Sequence, residues 1–230
     1  EKEALPLLTR AAAAQRLRGG LYAILDPSFF EGSIEAMARR LARAGASALQ
    51  LRMKTATARE FLEEARAVGE ACREEGALFI VNDRPDIAVL AGADGVHLGQ
   101  DDLPLPEARR LAPQLLIGAF SHNLEEALAA QDQEADYVNI GPIFPTRTKE
   151  LSIPPLGPGA IAETGPRLQV PFTVMGGINR ANIGAVLEAG ARRVAVVTAV
   201  TLAPDIPGAV RELRGLIRKA AGAGRDESFG

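Results

Sequence analysis

Short apolar segments alternate with helical patterns along nearly all of the 230 residues, and this alternation limits the possible folds more than any other feature. The apolar segments have the length of buried strands, whereas the stretches between them repeat apolar residues at helical spacing. Strands are expected near residues 21–25, 48–52, 78–82, 95–98, 116–120, 137–141, 172–176 and 193–198. Helices are expected near residues 33–44, 57–75, 85–91, 105–112, 123–134, 158–165, 179–189 and 205–220.

A short repeat supports this division into strand–helix units. Ala-Gly-Ala, or a remnant of it, directly precedes a strand at residues 44–46, 91–93, 134–135 and 189–191. Glycine at the end of a helix supplies the left-handed residue that stops it. Eight strands with such short turns predict one closed parallel (β/α)8 barrel of the TIM type. The alternative is an open doubly wound sheet, but no Gly-x-Gly-x-x-Gly follows the first strand, so a dinucleotide-binding fold has little support.

The two ends of the chain are expected to lie outside the barrel. Residues 4–18 have a helical pattern, so residues 1–20 are interpreted as an N-terminal helical extension. The barrel itself is expected over residues 21–220. Residues 221–230 are polar and rich in glycine, which predicts a flexible tail.

Composition excludes several classes of protein. The net charge of −3 does not suit a protein that binds nucleic acid electrostatically. With one cysteine and two histidines, the chain lacks a disulfide framework and a His/Cys metal cluster, so a metal would need carboxylates. No apolar stretch is long enough to span a membrane, and the arginine-containing N-terminus does not resemble a secretory signal. We therefore expect a cytoplasmic protein without membrane or nucleic-acid partners.

Reactive side chains concentrate where the expected strands end, which is where barrels of this type carry their chemistry. The cations there are Arg52, Lys54, Arg84, Arg147 and Lys149, and the carboxylates are Asp83, Asp101 and Asp102. Cations beside a glycine-rich segment such as Gly176-Gly177 indicate a phosphate site. Carboxylates in the same place would repel phosphate unless a hard cation such as Mg²⁺ lies between them. The pattern predicts an enzyme with a Mg²⁺–diphosphate site on one side and a monophosphate site on the other.

Five of these strand-end motifs, in this order and spacing, resemble those of the thiamine-phosphate synthase family. They are Gln50-Leu51-Arg52-Met53-Lys54, Asn82-Asp83-Arg84, His97-Leu98-Gly99-Gln100-Asp101-Asp102, the segment from Gly141 to Lys149, and Gly176-Gly177-Ile178. The family has a TIM-type barrel, and the resemblance extends from about Leu21 to about Ala220. It implies a transferase that joins hydroxymethylpyrimidine diphosphate to a thiazole phosphate with Mg²⁺ as cofactor. It leaves open whether the chain forms a homo-oligomer and whether the thiazole is carboxylated.

The resemblance also implies roles for individual residues. Asp83 and Asp102 match the Mg²⁺ ligands, and Arg52, Lys54 and Lys149 would stabilise the departing diphosphate. The residues that match substrate contacts are Gln50, Arg52, Lys54 and Asn82 for the pyrimidine diphosphate, and Thr146, Arg147, Thr148, Lys149, Gly177, Val197 and Thr198 for the thiazole phosphate and diphosphate.

One departure from the family pattern lies in the fifth strand. Phe120 stands where the family usually has a pyrimidine-binding Ser, and Ser121 follows one position later. Either the strand keeps its register and Phe120 contacts the pyrimidine, or the strand bulges and Ser121 takes over the contact. Two other functions are alternatives: a thiazole tautomerase, which would use a histidine at the position of His122, and a barrel homologue without catalysis. The complete set of diphosphate and metal residues favours the synthase.

Overall fold

The eight strands form one closed parallel barrel in the computed structural model, in which neighbours in sequence pair and the last strand pairs with the first. The structure describes residues 20–148 and 153–226, with side chains to residue 222, together with Arg10, Ala13, Ala14 and Leu17. The strands are β1 (Gly20–Leu25), β2 (Ala48–Leu51), β3 (Leu78–Asn82), β4 (Gly95–Leu98), β5 (Leu116–Ser121), β6 (Tyr137–Ile140), β7 (Phe172–Val174) and β8 (Arg193–Val196). The (β/α)8 prediction is therefore confirmed, and the open-sheet alternative is wrong.

Helices surround the barrel, one after each strand and an additional short one after β8. They are α1 (Ile34–Ala44), α2 (Ala58–Glu75), α3 (Pro85–Ala91), α4 (Leu105–Leu111), α5 (Leu124–Asp132), α6 (Gly159–Thr164), α7 (Ile183–Glu188), α8 (Thr198–Thr201) and α9 (Ile206–Asp226). Single 3₁₀ turns occupy Pro27–Phe29 and Gly165–Arg167. No helix within the described residues combines the length and apolarity that crossing a membrane requires.

The helix ends follow the local signals of the sequence. Thr57 and Glu60 form a reciprocal capping box at the start of α2. The repeat provides the left-handed residues after α1 and α3, where Gly45 and Gly92 have φ of 106° and 66°. In the copy without glycine, Glu134 adopts the left-handed conformation itself, with φ of 62°. The repeat therefore marks turns from helix to strand, as expected.

Two helix boundaries differ from the prediction. The expected helix at 179–189 begins only at Ile183, because Asn179 and Asn182 accept hydrogen bonds from nearby backbone amides and hold a turn instead. The last helix, expected to end at residue 220, continues to Asp226. Alanines at 220 and 221 favour this continuation more than Gly222 opposes it.

Two apolar layers hold the barrel together. The larger one lies between the strands and the helices, and the smaller fills the barrel interior with side chains such as Tyr22, Ile80, Leu116 and Tyr137. Leu17 packs against this inner layer and its amide donates to the carbonyl of Ala13 at 3.1 Å. The other residues of the expected extension 1–20, except Arg10, Ala14 and Gly20, lie outside the described part of the chain. The inner layer fills the barrel interior below the carboxyl ends of the strands.

Candidate active site

A cavity of about 630 Å³ lies at the carboxyl ends of the strands, and every strand or the loop after it contributes to its wall. Its lining includes 13 residues expected in the site: Gln50, Arg52, Lys54, Asn82, Asp83, Asp102, Phe120, Thr146, Arg147, Thr148, Gly177, Val197 and Thr198. Ser121 is not among the residues that line it, and Lys149 lies outside the described residues. The residues expected at the carboxyl ends of the strands therefore lie together around one cavity.

The second strand turns three expected side chains toward the cavity. Gln50, Arg52 and Lys54 all line it, whereas Leu51 and Met53 pack in the layer beneath the helices. This alternation is the two-residue period of an extended chain. It confirms the predicted register of this segment.

A buried carboxylate from the first strand holds Arg52. Asp26 lies directly after β1, is 3% exposed, and one of its oxygens forms an ion pair with the Arg52 guanidinium. Its other oxygen accepts the amide of Ser28 at 3.0 Å and so caps the 3₁₀ turn. Asp26 was not among the site residues predicted from the sequence, although it directly follows a strand, as the predicted site residues do.

Two carboxyl groups meet on the neighbouring strands. Burial, together with the neighbouring Asp83 side chain, raises the pKa of Asp102 above its ordinary value. The amide of Gly99 donates to Asp102 Oδ2 at 2.6 Å, and Lys54 pairs with Asp83. Asp83 and Asp102 therefore bring two carboxyl groups together beside the Lys54 cation.

Asp83 reaches this position through an unusual backbone conformation. Its φ is 65°, in the left-handed region, and its amide donates to the carbonyl of His97 at 2.8 Å. Aspartate tolerates this conformation better than most residues, but it still carries strain. Strain of this kind is often retained where a side chain must point in a particular direction.

The opposite side of the cavity is built mainly from backbone. Gly176 and Gly177 have positive φ values, and a Cβ on Gly177 would lie 2.3 Å from the carbonyl oxygen of Pro145. The side-chain amide of Asn182 donates to the Gly177 carbonyl at 2.9 Å, which fixes the turn after β7. The loop after β6 therefore packs directly on this turn, with no room for side chains between them.

Two threonines and an arginine of the loop after β6 also border this side. The hydroxyls of Thr146 and Thr148 lie 2.9 Å apart, and Arg147 between them is exposed. Residues 149–152 follow outside the described part of the chain. The loop thus supplies hydroxyl groups and a positive charge to the same half of the cavity as the glycine turn.

A row of buried polar side chains crosses the barrel at the floor of the cavity. Gln50 Nε2 donates to Tyr22 Oη at 2.8 Å, the two tyrosine hydroxyls lie 3.2 Å apart, and Tyr137 Oη lies 3.1 Å from His97 Nδ1. The Tyr137 ring occupies space that a side chain on Gly118 would fill, since a Cβ there would lie 2.0 Å from the ring. Sequence reasoning predicted Gln50 as a substrate contact but missed both tyrosines and left His97 without a role.

The fifth strand keeps its register through Phe120. Its ladder with β6 runs without a bulge from Gly118 to Ser121, so Phe120 faces the cavity. Ser121 faces away, and its buried hydroxyl donates to the carbonyl of Asn139 at 3.0 Å. The bulged alternative, and with it the expected substrate contact of Ser121, is therefore not found.

His122 belongs to the start of a helix rather than to the cavity wall. Its Nδ1 lies 2.9 Å from Glu126 Oε2, and its ring contacts Phe120 edge-on with centroids 4.8 Å apart. It is not among the described residues that line the cavity. The geometry therefore gives no support to the tautomerase alternative, which needs this histidine at the substrate.

Comparisons with known proteins identify a family to which this chain is similar. The family model described as thiamine monophosphate synthase matches residues 21–200. A thiamine-phosphate synthase of Anaeromyxobacter dehalogenans is 48% identical over 84% of this chain and 86% of its own length. That of Shouchella clausii is 41% identical over 87% of this chain and 97% of its own.

A solved structure is similar as well. The thiamine phosphate pyrophosphorylase from Pyrococcus furiosus superimposes with a TM-score of 0.82 and 36% identity, covering 90% of this chain and 98% of its own. A geranylgeranylglyceryl phosphate synthase from Thermoplasma acidophilum, with a TM-score of 0.68 and 15% identity, shares the fold alone. The similarity to the Pyrococcus protein thus extends over most of the chain.

Proposed function

The chain belongs to the thiamine monophosphate synthase family, and we propose that its cavity joins hydroxymethylpyrimidine diphosphate to a thiazole phosphate, releasing diphosphate and giving thiamine phosphate. The observation that carries this assignment is the meeting of two cations, Arg52 and Lys54, with the carboxylates Asp83 and Asp102 at neighbouring strand ends. The composition predicts that the reaction takes place in the cytoplasm, and this stays a prediction.

The reaction needs charge stabilisation more than acid–base chemistry. The bond between the pyrimidine methylene carbon and the diphosphate oxygen breaks, and both electrons leave with the diphosphate. The thiazole nitrogen then uses its lone pair to form the new carbon–nitrogen bond, without any proton transfer. Groups that meet the growing negative charge are therefore the main catalytic requirement. Arg52 and Lys54, already oriented by Asp26 and Asp83, suit that role, and the same role is proposed for Lys149.

The carboxylate pair fits Mg²⁺. Mg²⁺ is usually held by one or two carboxylates together with substrate phosphates and water. Asp83 and Asp102 both line the cavity and are the proposed ligands. The described ranges contain no cluster of three or more potential ligand side chains, so substrate phosphates and water would complete the coordination. Burial and the neighbouring Asp83 raise the pKa of Asp102, and a divalent cation between the two carboxylates would favour their charged forms. When bound, Mg²⁺ would neutralise charge on the diphosphate.

The backbone-rich half suits the thiazole phosphate. Barrels of this type commonly bind phosphate at the loops after the seventh and eighth strands. Here these loops contribute Gly177, Val197 and Thr198, and the loop after β6 contributes the hydroxyls of Thr146 and Thr148. A phosphate bound at this end would direct the thiazole ring toward the pyrimidine.

The middle of the cavity protects the reacting carbon from water. Ile24, Phe29, Phe120 and Met175 line the cavity and present hydrocarbon surface. A carbon that becomes cationic would react with water if water had access, so apolar walls favour attack by the thiazole nitrogen. In this arrangement the Phe120 ring forms part of the wall around the pyrimidine.

The direct test is product formation. The purified chain, incubated with both substrates and Mg²⁺, is expected to release one diphosphate for each thiamine phosphate formed. Arg110→Ala serves as a matched control, because Arg110 is an exposed arginine whose ion pair lies on α4, away from the cavity. Absence of product with an intact fold would contradict the proposal and favour a homologue without catalysis.

A further inference from the structure

Gln50 on β2 and His97 on β4 both line the cavity, and two buried tyrosines beneath it connect them. Tyr22 and Tyr137 belong to the inner apolar layer and are not more than 2% exposed. Their hydroxyls are the middle members of the hydrogen-bonded row across the cavity floor. Polar groups buried this deeply are costly unless each is satisfied, so the order of donors and acceptors in the row matters.

The orientation of the Gln50 amide, whose nitrogen faces Tyr22, sets that order. Burial raises the pKa of both tyrosines, so each phenol stays protonated and has one hydrogen to donate. Because Tyr22 accepts from the amide nitrogen of Gln50, its own hydrogen is available to Tyr137. Tyr137 in turn donates to His97 Nδ1. In the reverse order, His97 Nδ1 carries a hydrogen and donates to Tyr137, and Tyr137 donates to Tyr22. This order satisfies the same contacts only if the Gln50 amide is turned over, so that its oxygen accepts from Tyr22.

We infer that Tyr22 and Tyr137 are positioning residues that fix the amide of Gln50 with its oxygen toward the cavity, where it accepts a hydrogen bond from the amino group of the pyrimidine. This inference rests on the proposed function and extends it to specificity. A glutamine free to rotate presents a donor as readily as an acceptor. The tyrosine row ties the amide to His97: when Nδ1 accepts, only the orientation with the amide oxygen toward the cavity satisfies every member of the row. An aminopyrimidine is then favoured over an analogue that lacks the amino group.

Two variants remove only the hydroxyls. Tyr22→Phe and Tyr137→Phe are each tested for inhibition by hydroxymethyl aminopyrimidine and by its deamino analogue, neither of which can react. The wild type is expected to prefer the amino compound by about tenfold, the factor that corresponds to one net hydrogen bond. In both variants the preference should fall to about twofold, while the KM for the thiazole phosphate stays unchanged. Loss of affinity for both analogues in equal measure would overturn the inference.

Thr173→Val is the matched control. Thr173 lies in β7, and its fully buried hydroxyl accepts a hydrogen bond from the side chain of Asn139. It does not line the cavity or belong to the tyrosine row. Its removal is expected to cost stability comparable to that of the tyrosine hydroxyls and to leave the preference for the amino group unchanged. If Thr173→Val reduced the preference as much as Tyr22→Phe, a general loosening of the barrel would explain the effect and the inference would fail.

A second measurement needs no variant. The chain has two tyrosines and no tryptophan, and both tyrosines belong to the row. Binding of the aminopyrimidine is therefore expected to change the near-ultraviolet tyrosine spectrum, whereas thiazole phosphate alone leaves it unchanged. An unchanged tyrosine spectrum on aminopyrimidine binding would contradict the inference even if thiamine phosphate is formed. Failure of the wild type to form thiamine phosphate would instead contradict the proposed function.

Discussion

The two halves of the cavity are built in different ways. On the side of β1 to β4, charged side chains are held by partners before any ligand arrives, as in the pairs Arg52–Asp26 and Lys54–Asp83. On the side of β6 to β8, the backbone of Gly176 and Gly177 packs against the loop after β6, and side chains are excluded from the contact. The first arrangement suits a multiply charged diphosphate, and the second suits a single phosphate bound through amides and hydroxyls. Different substitutions should therefore damage each half selectively.

The largest effect is expected on the charged half. Asp83→Ala and Asp102→Ala should each lower kcat by about a hundredfold or more, because each removes a group that organises charge stabilisation of the leaving diphosphate. Steady-state kinetics with and without Mg²⁺, together with thermal unfolding, will show whether the barrel remains intact. Full activity of the double variant in EDTA would contradict the role of both carboxylates.

The next effect concerns the backbone half. Gly177→Ala places a Cβ 2.3 Å from the Pro145 carbonyl oxygen at a φ of 62°. Both the clash and the backbone strain oppose it, so a loss of about 1–3 kcal/mol in the free energy of unfolding is expected. The KM for the thiazole phosphate should rise more than the KM for the pyrimidine diphosphate.

Gly184→Ala is the control for this substitution. Gly184 lies in α7, near the same turn, and a Cβ there meets no atom within 4 Å. Alanine favours a helix over glycine, so this variant should be neutral or more stable by about 0.5–1 kcal/mol. Equal destabilisation by the two variants in denaturant unfolding would show that the close contact at Gly177 does not determine the loss in the free energy of unfolding.

A smaller effect is expected from the partner of Arg52. Asp26→Asn keeps the size of the side chain and its cap on the 3₁₀ turn but removes the charge that orients the guanidinium. The KM for the pyrimidine diphosphate should rise about tenfold, in the range of losing one charge-assisted hydrogen bond. The KM for the thiazole phosphate should stay the same, and an equal rise of both would indicate damage to the whole cavity.

Phe120→Ser is expected to have the smallest effect. Stacking of the ring on the pyrimidine contributes about 0.5–1.5 kcal/mol, and a new hydroxyl hydrogen bond contributes about 0.5–1.5 kcal/mol net. The KM for the pyrimidine diphosphate should therefore stay the same or rise modestly. A many-fold increase in turnover would mean that Phe120 obstructs the site, and the alternative of a homologue without catalysis would gain support.

The charged half could be predicted from the sequence more completely than its surroundings. Arg52, Lys54 and Asp83 follow apolar strands directly, and parallel strands bring such residues to one end of the barrel. The contact of Tyr22 with Tyr137 joins residues 115 positions apart, and their hydroxyls meet only because Gly118 leaves room for a ring. Neither the long-range contact nor the space at Gly118 leaves a periodic signal in the sequence.

The start of α7 could not be predicted from the sequence either. The pattern near Asn179 is helical, but side-chain hydrogen bonds to the backbone hold a turn there instead.

The difference between the two halves can be tested most directly by calorimetric titration of the wild-type chain with inorganic diphosphate and, separately, with thiazole phosphate, each in Mg²⁺ and in EDTA. Diphosphate is expected to bind at least about tenfold more weakly in EDTA, since two carboxylates then face the anion without a cation between them. Thiazole phosphate should bind equally well in both conditions. Diphosphate affinity that does not depend on Mg²⁺, or thiazole phosphate affinity that falls to the same extent, would contradict the division of the cavity into a metal-dependent and a backbone half.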